Sequence, residues 1–587
     1  MSRRRDDAAS SRVRGWFVGD APDFRHRGTW LALAFAAMAA TLCARLVDVQ
    51  LLQHSVLAAK AAALHQKSVI IPATRGRILD SNGRVLVSNR TVYDVFADPG
   101  LIAVSNRADV ARRVGAVLSV DATTLDSQIS EPTRFVYLAK SVSQQVSDQL
   151  VALDLPGIVV VPAEQRVYEP SPVSGTSFAA NLLGYVDQDG SGQYGIEAYY
   201  NSVLQGINGH QSTVRDVAGN SITLSNDPRA EPHNGQDLQL GLDSQIQYWA
   251  EQAIAQGVAT AQAASGTLIM MDTKTGAIRA WAQAPTYNAN AYSTAPISAF
   301  RDLAVSNLYE PGSVQKVITF AGGLNTHAIT PGYRFNEGPT TIDGATIRDW
   351  DGRAHGMISM QTVLDDSLNN GAIKVGQLEG ANAFYSNMLA FGIGAPTGVD
   401  LYGEQSIPLP AQTTWSPLDL AEAAFGQRIQ VTPIEMLAAI NAVANGGVWV
   451  QPHAVQAVID PTTGRSAAVV PNTRRVISAA AAATLAKMMT GVVEDPGAEG
   501  SMARIAAFKG EVAGKTGTAS VATNGRYGSD VIVSFGGFLP ATNPQFTMLV
   551  VLNYPHEKFI VRFGATLAAP VWKQVAQVAI DQWRITP

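Results

Sequence analysis

The sequence predicts an α+β protein with one N-terminal transmembrane helix, an elongated pedestal domain, and a larger domain whose antiparallel sheet is flanked by helices. Three observations predict it. An uncharged stretch follows the N-terminal tail, short β-like runs with turn residues extend to about Ser225, and strand patterns then bracket a helix-rich region. Strands at both ends of a region with helices between them are typical of α+β domains. The 587 residues exceed what one core holds, so two or three domains are expected.

The composition argues against several classes of protein. Hydrophobic residues make up 46% of the chain and charged residues 16%, which is typical of globular proteins. The net charge of −5 gives no support to a nucleic-acid partner, which requires a basic surface. Cys43 is the only cysteine, so no disulfide can form within the chain. The nine histidines show no His-Glu-x-x-His pattern, and no metal site is expected.

The N-terminal region predicts a membrane anchor. Residues 1–27 contain seven arginines and four acids, and the seventeen residues 28–44 carry no charge. Apolar residues continue past Arg45, whose guanidinium can reach the membrane interface, so the anchor is predicted over 28–52. The arginine excess before it predicts a cytoplasmic N-terminus and an extracytoplasmic body. A cleaved signal peptide is the alternative, but 27 residues are long for the leader of such a peptide.

The remaining chain divides into a pedestal domain at 53–224, a linker at 225–236 and a C-terminal domain at 237–587. In the pedestal domain, Asn82-Gly83 is a strong turn signal between two short strands. The linker is rich in proline, asparagine and glycine. The C-terminal domain is predicted to contain helices at 244–264 and 568–583 and strands at 237–242, 267–272, 277–282, 531–538 and 546–554.

Ser313 precedes a predicted helix. Pro311 and Gly312 break the chain, and apolar residues then recur at helical spacing. The free N–H groups and the dipole at a helix N-terminus favour an anionic oxygen. Lys316 lies one turn further along the same face, where it can act as a base if burial or another cation lowers its pKa. An N-cap serine with a solvated lysine would give the same pattern.

Two further motifs follow Ser313. Ser367 and Asn369 are predicted to lie in a loop, where a hydroxyl and an amide can relay a proton and hold a substrate amide; an ordinary helix end is the alternative. Lys515, Thr516 and Gly517 follow Gly514. A phosphate-binding loop needs four residues between its two glycines, whereas Gly510 and Gly514 are separated by three. The other interpretation is a sheet edge with a cation and a glycine that permits close approach of a ligand.

In this order, Ser-x-x-Lys, Ser-x-Asn and Lys-Thr-Gly resemble the motifs of the penicillin-binding proteins and serine β-lactamases. The spacings of 54 residues from Ser313 to Ser367 and 148 residues from Ser367 to Lys515 fit the larger members. Other segments resemble class B penicillin-binding proteins: 75–83, 166–170, 183–186, 195–197, 284–288, 309–313, 563–565 and 568–571. The arginine-rich tail, the single anchor and the Glu-Pro-Gly-Ser context favour the septal, FtsI-like branch. Ser81 and Arg428 depart from the family pattern, which has arginine and glycine at these positions.

The resemblance implies a D,D-transpeptidase that cross-links peptidoglycan stem peptides through a serine acyl-enzyme. Ser313 would attack the penultimate D-Ala carbonyl while Lys316 accepts its proton. Ser367 and Lys515 would complete the proton network, and Asn369 would hold the donor peptide. No cofactor is required, because the donor peptide bond supplies the energy.

Thr516, Gly517 and Thr518 are expected to bind substrate. The backbone N–H of Thr518, together with that of Ser313, would form the oxyanion hole, usually the largest contribution in such reactions. The hydroxyls of Thr516 and Thr518 would hold the terminal carboxylate, and Gly517 would allow close approach.

The resemblance also implies partners and a location. The substrates would be lipid II-derived stem peptides, β-lactams would be covalent inhibitors, and the anchor and pedestal domain would contact an FtsW-like glycan polymerase and divisome membrane proteins. The body would lie on the periplasmic side of the cell membrane. Three alternatives remain: an elongation-specific transpeptidase, a β-lactamase or β-lactam sensor, and a catalytically silent divisome scaffold.

Overall fold

The computed structural model describes residues 24–57, 66–215, 221–222, 229–495, 497–523, 526–556 and 564–587. Within it the chain separates into two compact units. The first combines Met1–Ile71 with Gly209–Glu231, and the second combines Pro72–Asn208 with Pro232–Pro587. Most of the predicted tail, and part of the predicted linker, lie outside the described residues.

The first unit contains the apolar helix that the sequence predicts. Helix Phe24–Val47 continues as a π-helical turn, Asp48–Leu52, and the segment Gly28–Leu52 is long and apolar enough to cross a membrane. Large apolar side chains such as Trp30 and Phe35 are exposed along it, as a lipid-facing helix requires. The same unit has a small sheet in which Gln66–Ile71 and Arg229–Ala230 pair antiparallel with Gly209–Arg215. The short strand Ser221–Ile222 extends it.

A seven-stranded sheet in the second unit joins segments from both predicted domains. Its strands are Ser466–Ala468, Val455–Ile459, Asp237–Leu240, Ile78–Leu79, Val85–Ala97 and Val136–Val142 in that order, with Ile158–Tyr168 also paired to Val85–Ala97. Asp237–Leu240, which follows the predicted linker in the sequence, pairs in parallel with Ile78–Leu79, which precedes the linker. This continuity between the two predicted domains has no signal in the sequence.

One end of this sheet carries a small helical lobe. Three helices pack on it around a separate apolar core that includes Val95, Val114 and Leu125. These helices are Arg107–Leu118, Ala122–Ile129 and Gln144–Ala152. The short helices Ala180–Leu183, Gly195–Tyr199 and Asn201–Leu204 follow along the chain.

Three of the segments that resemble class B motifs meet at a buried ion cluster. The Glu197 carboxylate, which is fully buried, accepts hydrogen bonds from Arg75 Nη2 at 2.5 Å and Arg166 Nε at 2.8 Å. Tyr168 Oη also donates to it, at 3.3 Å. Since a buried charge needs a partner, these segments fix one another in place.

A five-stranded antiparallel sheet forms the centre of the C-terminal region, as predicted. Its order is Ile278–Ala284, Ser265–Asp272, Phe546–Asn553, Arg526–Leu539 and Ala513–Thr523. Every residue of Phe546–Asn553 is buried, and successive residues alternate between two apolar cores. The sheet is therefore covered on both faces, and Ala513–Thr523 is an edge strand.

Helices cover both faces of this sheet. Ser244–Ala261 and Gly564–Trp583 share one apolar core with it. The helical layer on the other face includes Lys316–Asn325, Pro433–Ala444 and Ala479–Glu494. The other helices of the C-terminal region are Leu303–Ser306, Met360–Asp365, Asn369–Glu379, Ala381–Phe391 and Pro417–Ala424. Short strand pairs are Arg334–Glu337 with Gly356–Ser359, Thr340–Ile342 with Ala345–Ile347, Val448–Val450 with Thr473–Arg475, and Tyr185–Val186 with Gly192–Gln193.

The last helix, Gly564–Trp583, includes four residues before its predicted start at 568. Pro570 lies inside it, and a proline normally marks the first turn of a helix, so the sequence favours a later start. In the structure, residues 564–567 are already helical, and a Cβ at Gly564 would come within 2.3 Å of Ser534 O and 2.6 Å of Gly517 O. Gly564 therefore lets the helix pack closely against the sheet edge.

Candidate active site

Ser313 lies in a 3-10 turn, Gly312–Gln315, that leads directly into helix Lys316–Asn325. The prediction of a helix N-terminus is correct in kind, but the first turn is tighter and Lys316 is the first α-helical residue. Ser313 is half-buried, whereas Lys316 is completely buried. Gly312 has a φ of +55°, and a Cβ there would lie 2.8 Å from Thr518 O, so only glycine fits the approach to Ser313.

The edge strand Ala513–Thr523 runs beside this turn. A Cβ at Gly517 would come within 2.7 Å of Val314 Cγ2 and 3.1 Å of Pro311 O. The sequence suggests that this glycine allows a ligand to approach. In the structure a glycine is needed at position 517 for another reason, because the turn that carries Ser313 packs against it. This turn therefore packs directly against the edge strand.

Lys316 connects the first motif to the second. Its Nζ donates to Asn369 Oδ1 at 2.8 Å, to Ser367 O at 2.6 Å and to Ser367 Oγ at 3.4 Å. Ser367 lies between helices Met360–Asp365 and Asn369–Glu379 with a φ of +56°, a conformation that costs free energy for a residue with a side chain. The strained turn points both Ser367 oxygens at the lysine.

Lys515 connects the third motif to the same hydroxyl. Its Nζ, which is fully buried, donates to Ser367 Oγ at 2.7 Å and to Thr516 Oγ1 at 3.2 Å. Ser367 Oγ therefore lies between the Nζ atoms of two lysines that are far apart in sequence. Thr518, on the same strand, is half-buried, and its Oγ1 accepts the Gly564 N–H at 3.3 Å.

The electrostatics of the two lysines suit a proton acceptor beside a cation. Burial lowers the pKa of Lys316 well below its ordinary value, and the neighbouring Lys515 lowers it further. Burial also lowers the pKa of Lys515, to about 8, against the opposing effect of the Glu499 and Asp365 carboxylates. A lysine with a depressed pKa holds a free electron pair near neutral pH and can act as a general base.

Asp349 positions the Ser-x-Asn motif. One of its carboxylate oxygens accepts the backbone N–H groups of Asn369 and Asn370, the latter at 3.1 Å. The other oxygen accepts Asn370 Nδ2 at 2.9 Å. Asp349 satisfies the free N–H groups at the start of helix Asn369–Glu379. No sequence motif points to this residue, since a lone aspartate twenty positions upstream carries no local signal.

A cluster around Asp349 could hold a cation. Of the residues that the structure describes, one group of three possible ligands has its donor atoms within 4.8 Å of one another: Glu337, Asp349 and His355. Glu337 also accepts the His355 backbone N–H at 2.9 Å. Burial and the adjacent Asp349 carboxyl raise the pKa of Glu337 to about 7. Near neutral pH Glu337 is therefore partly protonated, which lowers the negative charge of this cluster.

Glu499 is a second residue that the sequence analysis missed. Its Oε2 accepts the Thr516 hydroxyl at 2.9 Å, and its backbone N–H donates to Asp365 O at 3.3 Å. It precedes the Lys-Thr-Gly motif by sixteen positions, too far for any local pattern to connect them. It brings a carboxylate to the two lysines.

Lys515 lies in the edge strand of the sheet and not in a phosphate-binding loop, in agreement with the glycine spacing. Lys515 and Thr516 lie inside strand Ala513–Thr523, whereas a phosphate loop leads into a helix. The chain's other Lys-Thr-Gly sequence, at 274–276, forms the turn between Ser265–Asp272 and Ile278–Ala284. Its Lys274 is exposed.

Arg428 is directed at neighbouring carboxylates. Its Nη1 lies 2.9 Å from Asp419 and 3.4 Å from Glu422, both on helix Pro417–Ala424. Its backbone N–H donates to Glu310 Oε1 at 3.0 Å, three residues before Ser313. Its φ of +58° explains why the family pattern has glycine at this position.

Known proteins share this architecture. Residues 266–577 match the penicillin-binding protein transpeptidase domain, and residues 70–240 match the penicillin-binding protein dimerisation domain. Stage V sporulation protein D of Bacillus subtilis is 30% identical over 523 residues, which cover 87% of this chain and 79% of that protein. Peptidoglycan D,D-transpeptidase FtsI of Escherichia coli K12 is 28% identical over 565 residues, 95% of this chain and 91% of that protein.

Solved structures agree. A peptidoglycan synthetase from Bifidobacterium adolescentis superposes with a TM-score of 0.71 at 25% identity, covering 89% of this chain and 97% of that one. Penicillin-binding protein 3 of Mycobacterium tuberculosis, complexed with aztreonam, has a TM-score of 0.68 at 24% identity, covers 88% and 98% of the two chains, and supports the fold alone. The chain therefore belongs to the class B penicillin-binding proteins, in which a dimerisation domain precedes a serine-type transpeptidase domain.

Proposed function

We propose that the chain is a peptidoglycan D,D-transpeptidase whose acyl-enzyme forms on Ser313. The observation that carries the proposal is the convergence of two buried lysines on Ser367 Oγ. One of them, Lys316, lies one turn after Ser313, and burial lowers its pKa well below the ordinary value of a lysine. This arrangement is costly for folding, because burying two ionisable amino groups requires compensation. Catalysis gives a reason to retain it.

The reaction proceeds in two acyl transfers. Ser313 Oγ attacks the penultimate D-Ala carbonyl while its proton passes to neutral Lys316. The backbone N–H groups of Ser313 and Thr518 stabilise the oxyanion. Ser367, between the lysines, passes a proton to the departing D-Ala nitrogen. The amine of a second stem peptide then attacks the ester, loses a proton to the same network and releases Ser313.

The proposed substrate contacts follow from the positions of the second and third motifs. Asn369 Oδ1 is engaged by Lys316, which leaves its Nδ2 to donate to the donor peptide backbone. The terminal carboxylate binds beside Gly517 on the edge strand, at the segment that contains Lys515, Thr516 and Thr518. β-Lactams mimic this donor and are covalent inhibitors. The reaction needs no cofactor or metal.

Penicillin treatment is expected to add one penicilloyl group, on Ser313, detectable by mass spectrometry of proteolytic peptides. The Ser313→Ala variant should carry no adduct. Ser367→Ala is the matched control: it keeps the nucleophile, so slow labelling of Ser313 should persist. An adduct on another serine, or an unlabelled wild-type protein, would contradict the mechanism and favour a silent scaffold. Rapid release of the adduct would instead favour a β-lactamase.

We also propose a septal role and a fixed orientation, with tail 1–27 in the cytoplasm, anchor 28–52, pedestal domain 53–224, linker 225–236 and transpeptidase domain 237–587 in the periplasm. The arginine excess before the anchor supports the orientation. Similarity to FtsI over 95% of the chain supports the septal role, in which the anchor and pedestal domain contact an FtsW-like polymerase and other divisome membrane proteins.

A fluorescent protein that matures only in the cytoplasm, fused before Met1, should give a signal concentrated at the division site. Fusion of the same reporter after Pro587 should give none. A lateral-wall signal from the first fusion would favour the elongation-specific alternative. Fluorescence from the second fusion would reverse the proposed orientation.

A further inference from the structure

Glu499 sits at the end of a chain of hydrogen bonds that begins at the catalytic lysines. Lys515 Nζ donates to Thr516 Oγ1 at 3.2 Å, and Thr516 Oγ1 donates to Glu499 Oε2 at 2.9 Å. A hydroxyl has a single proton. In this arrangement the Thr516 proton is directed at Glu499, and its lone pairs face Lys515.

This direction of the hydroxyl has a consequence for substrate binding. A carboxylate is a pure acceptor, so a hydroxyl binds it only by donating. Thr516 has no second proton to offer. Thr518 Oγ1 accepts from Gly564 N, and its own proton has no acceptor among the described residues. Of the two threonine hydroxyls that flank Gly517, the Thr518 hydroxyl is therefore the one that can donate to a carboxylate.

Glu499 also balances the positive charge of the two buried lysines. The groups that face the two lysines are the carboxylates of Glu499, Asp349 and Asp365. Glu499 acts on both lysines, whereas Asp349 acts on Lys316 and Asp365 on Lys515. Burial, together with nearby Asp495, raises the pKa of Asp365 to about 7, which weakens its negative charge near neutral pH.

We propose that Glu499 is a positioning residue of the acylation site, which holds the Thr516 hydroxyl, balances the charge of both lysines and leaves the substrate carboxylate to Thr518. The proposal rests on the proposed acyl-enzyme chemistry. It changes one assignment made from the sequence, because Thr516 becomes part of the lysine network rather than a carboxylate ligand. Glu499 itself touches neither the substrate nor Ser313.

The first test is the pH dependence of acylation by a fluorescent penicillin in Glu499→Gln. Glutamine keeps the shape and an acceptor oxygen but removes the negative charge. The ammonium forms of both lysines lose stabilisation and their pKa values fall, so the rate profile should move to lower pH. The expected shift is about one pH unit, the lower end of the range that a close opposite charge imposes.

Two controls separate this effect from a structural one. Glu494→Gln removes an equal charge five residues away, where Glu494 pairs with Arg504 at 3.2 Å, and should leave the profile in place. Glu499→Asp keeps the charge and should restore most of the wild-type profile. A Glu499→Gln profile that coincides with the wild-type profile would overturn the proposal, as would an equal shift in Glu494→Gln.

The second test compares two valine variants and leaves Glu499 intact. With a thioester substrate that carries a terminal carboxylate, Thr518→Val should raise KM about tenfold or more, since a hydrogen bond to a charged group contributes ~1.5–3 kcal/mol. Thr516→Val should change KM much less and act on kcat. Equal KM effects would return Thr516 to carboxylate binding and reject the inference. A wild-type enzyme that is not acylated at Ser313 would instead reject the proposed function itself.

Discussion

Lys515→Ala is expected to slow acylation by penicillin by ~10²–10⁴-fold, the range for a positioned proton-transfer group. Three effects act together. Ser367 Oγ loses the donor at 2.7 Å, and the terminal carboxylate loses a buried cation. In addition, Lys515 lowers the pKa of Lys316, so its removal raises that pKa and leaves less free base near neutral pH. The rising limb of the rate profile should therefore move to higher pH.

The chain provides its own control for this variant. Lys274 occupies the same Lys-Thr-Gly sequence in an exposed turn, where its backbone N–H donates to Asp272 Oδ1 at 3.1 Å. That bond survives in Lys274→Ala, which should label at the wild-type rate. The measurement is the second-order rate of labelling by a fluorescent penicillin, with melting temperatures to confirm folding. A slower Lys274→Ala enzyme would show that the active site lies elsewhere.

Glu197→Ala is expected to destabilise the second unit by ~3–5 kcal/mol, the cost of removing one partner from a buried ion pair. The side chains of Arg75 and Arg166 are 9% and 4% exposed, and both donate to this carboxylate. Without it, two guanidinium groups remain buried without a counter-charge. The apparent melting temperature should fall by several degrees.

Glu164→Ala is the matched control for the ion cluster. Glu164 is exposed and accepts one hydrogen bond, from Thr74 Oγ1 at 3.1 Å, so its loss should cost less than about 0.5 kcal/mol. Below its melting temperature, Glu197→Ala should still form an adduct on Ser313, because the cluster does not touch the catalytic residues. An unchanged melting temperature would show that the cluster adds nothing to stability.

The sequence by itself determined those features whose cause is local. The uncharged run at 28–44 is a matter of composition, the Asn82-Gly83 turn follows from a turn preference, and the strand Phe546–Asn553 follows from a short apolar run. The order of the three motifs also gave the family, because their combination is far more specific than each alone. Hence the α+β class and the apolar helix were predicted correctly.

Only the tertiary structure decided what brings distant residues together. Ser367 Oγ lies beside Lys515 only because folding brings together residues that are 148 positions apart. The seven-stranded sheet joins the two predicted domains because Asp237–Leu240 pairs with Ile78–Leu79. Asp349 and Glu499 escaped prediction for the same reason. A single carboxylate has no periodicity, and its role exists only where folding places it beside a buried amide or lysine.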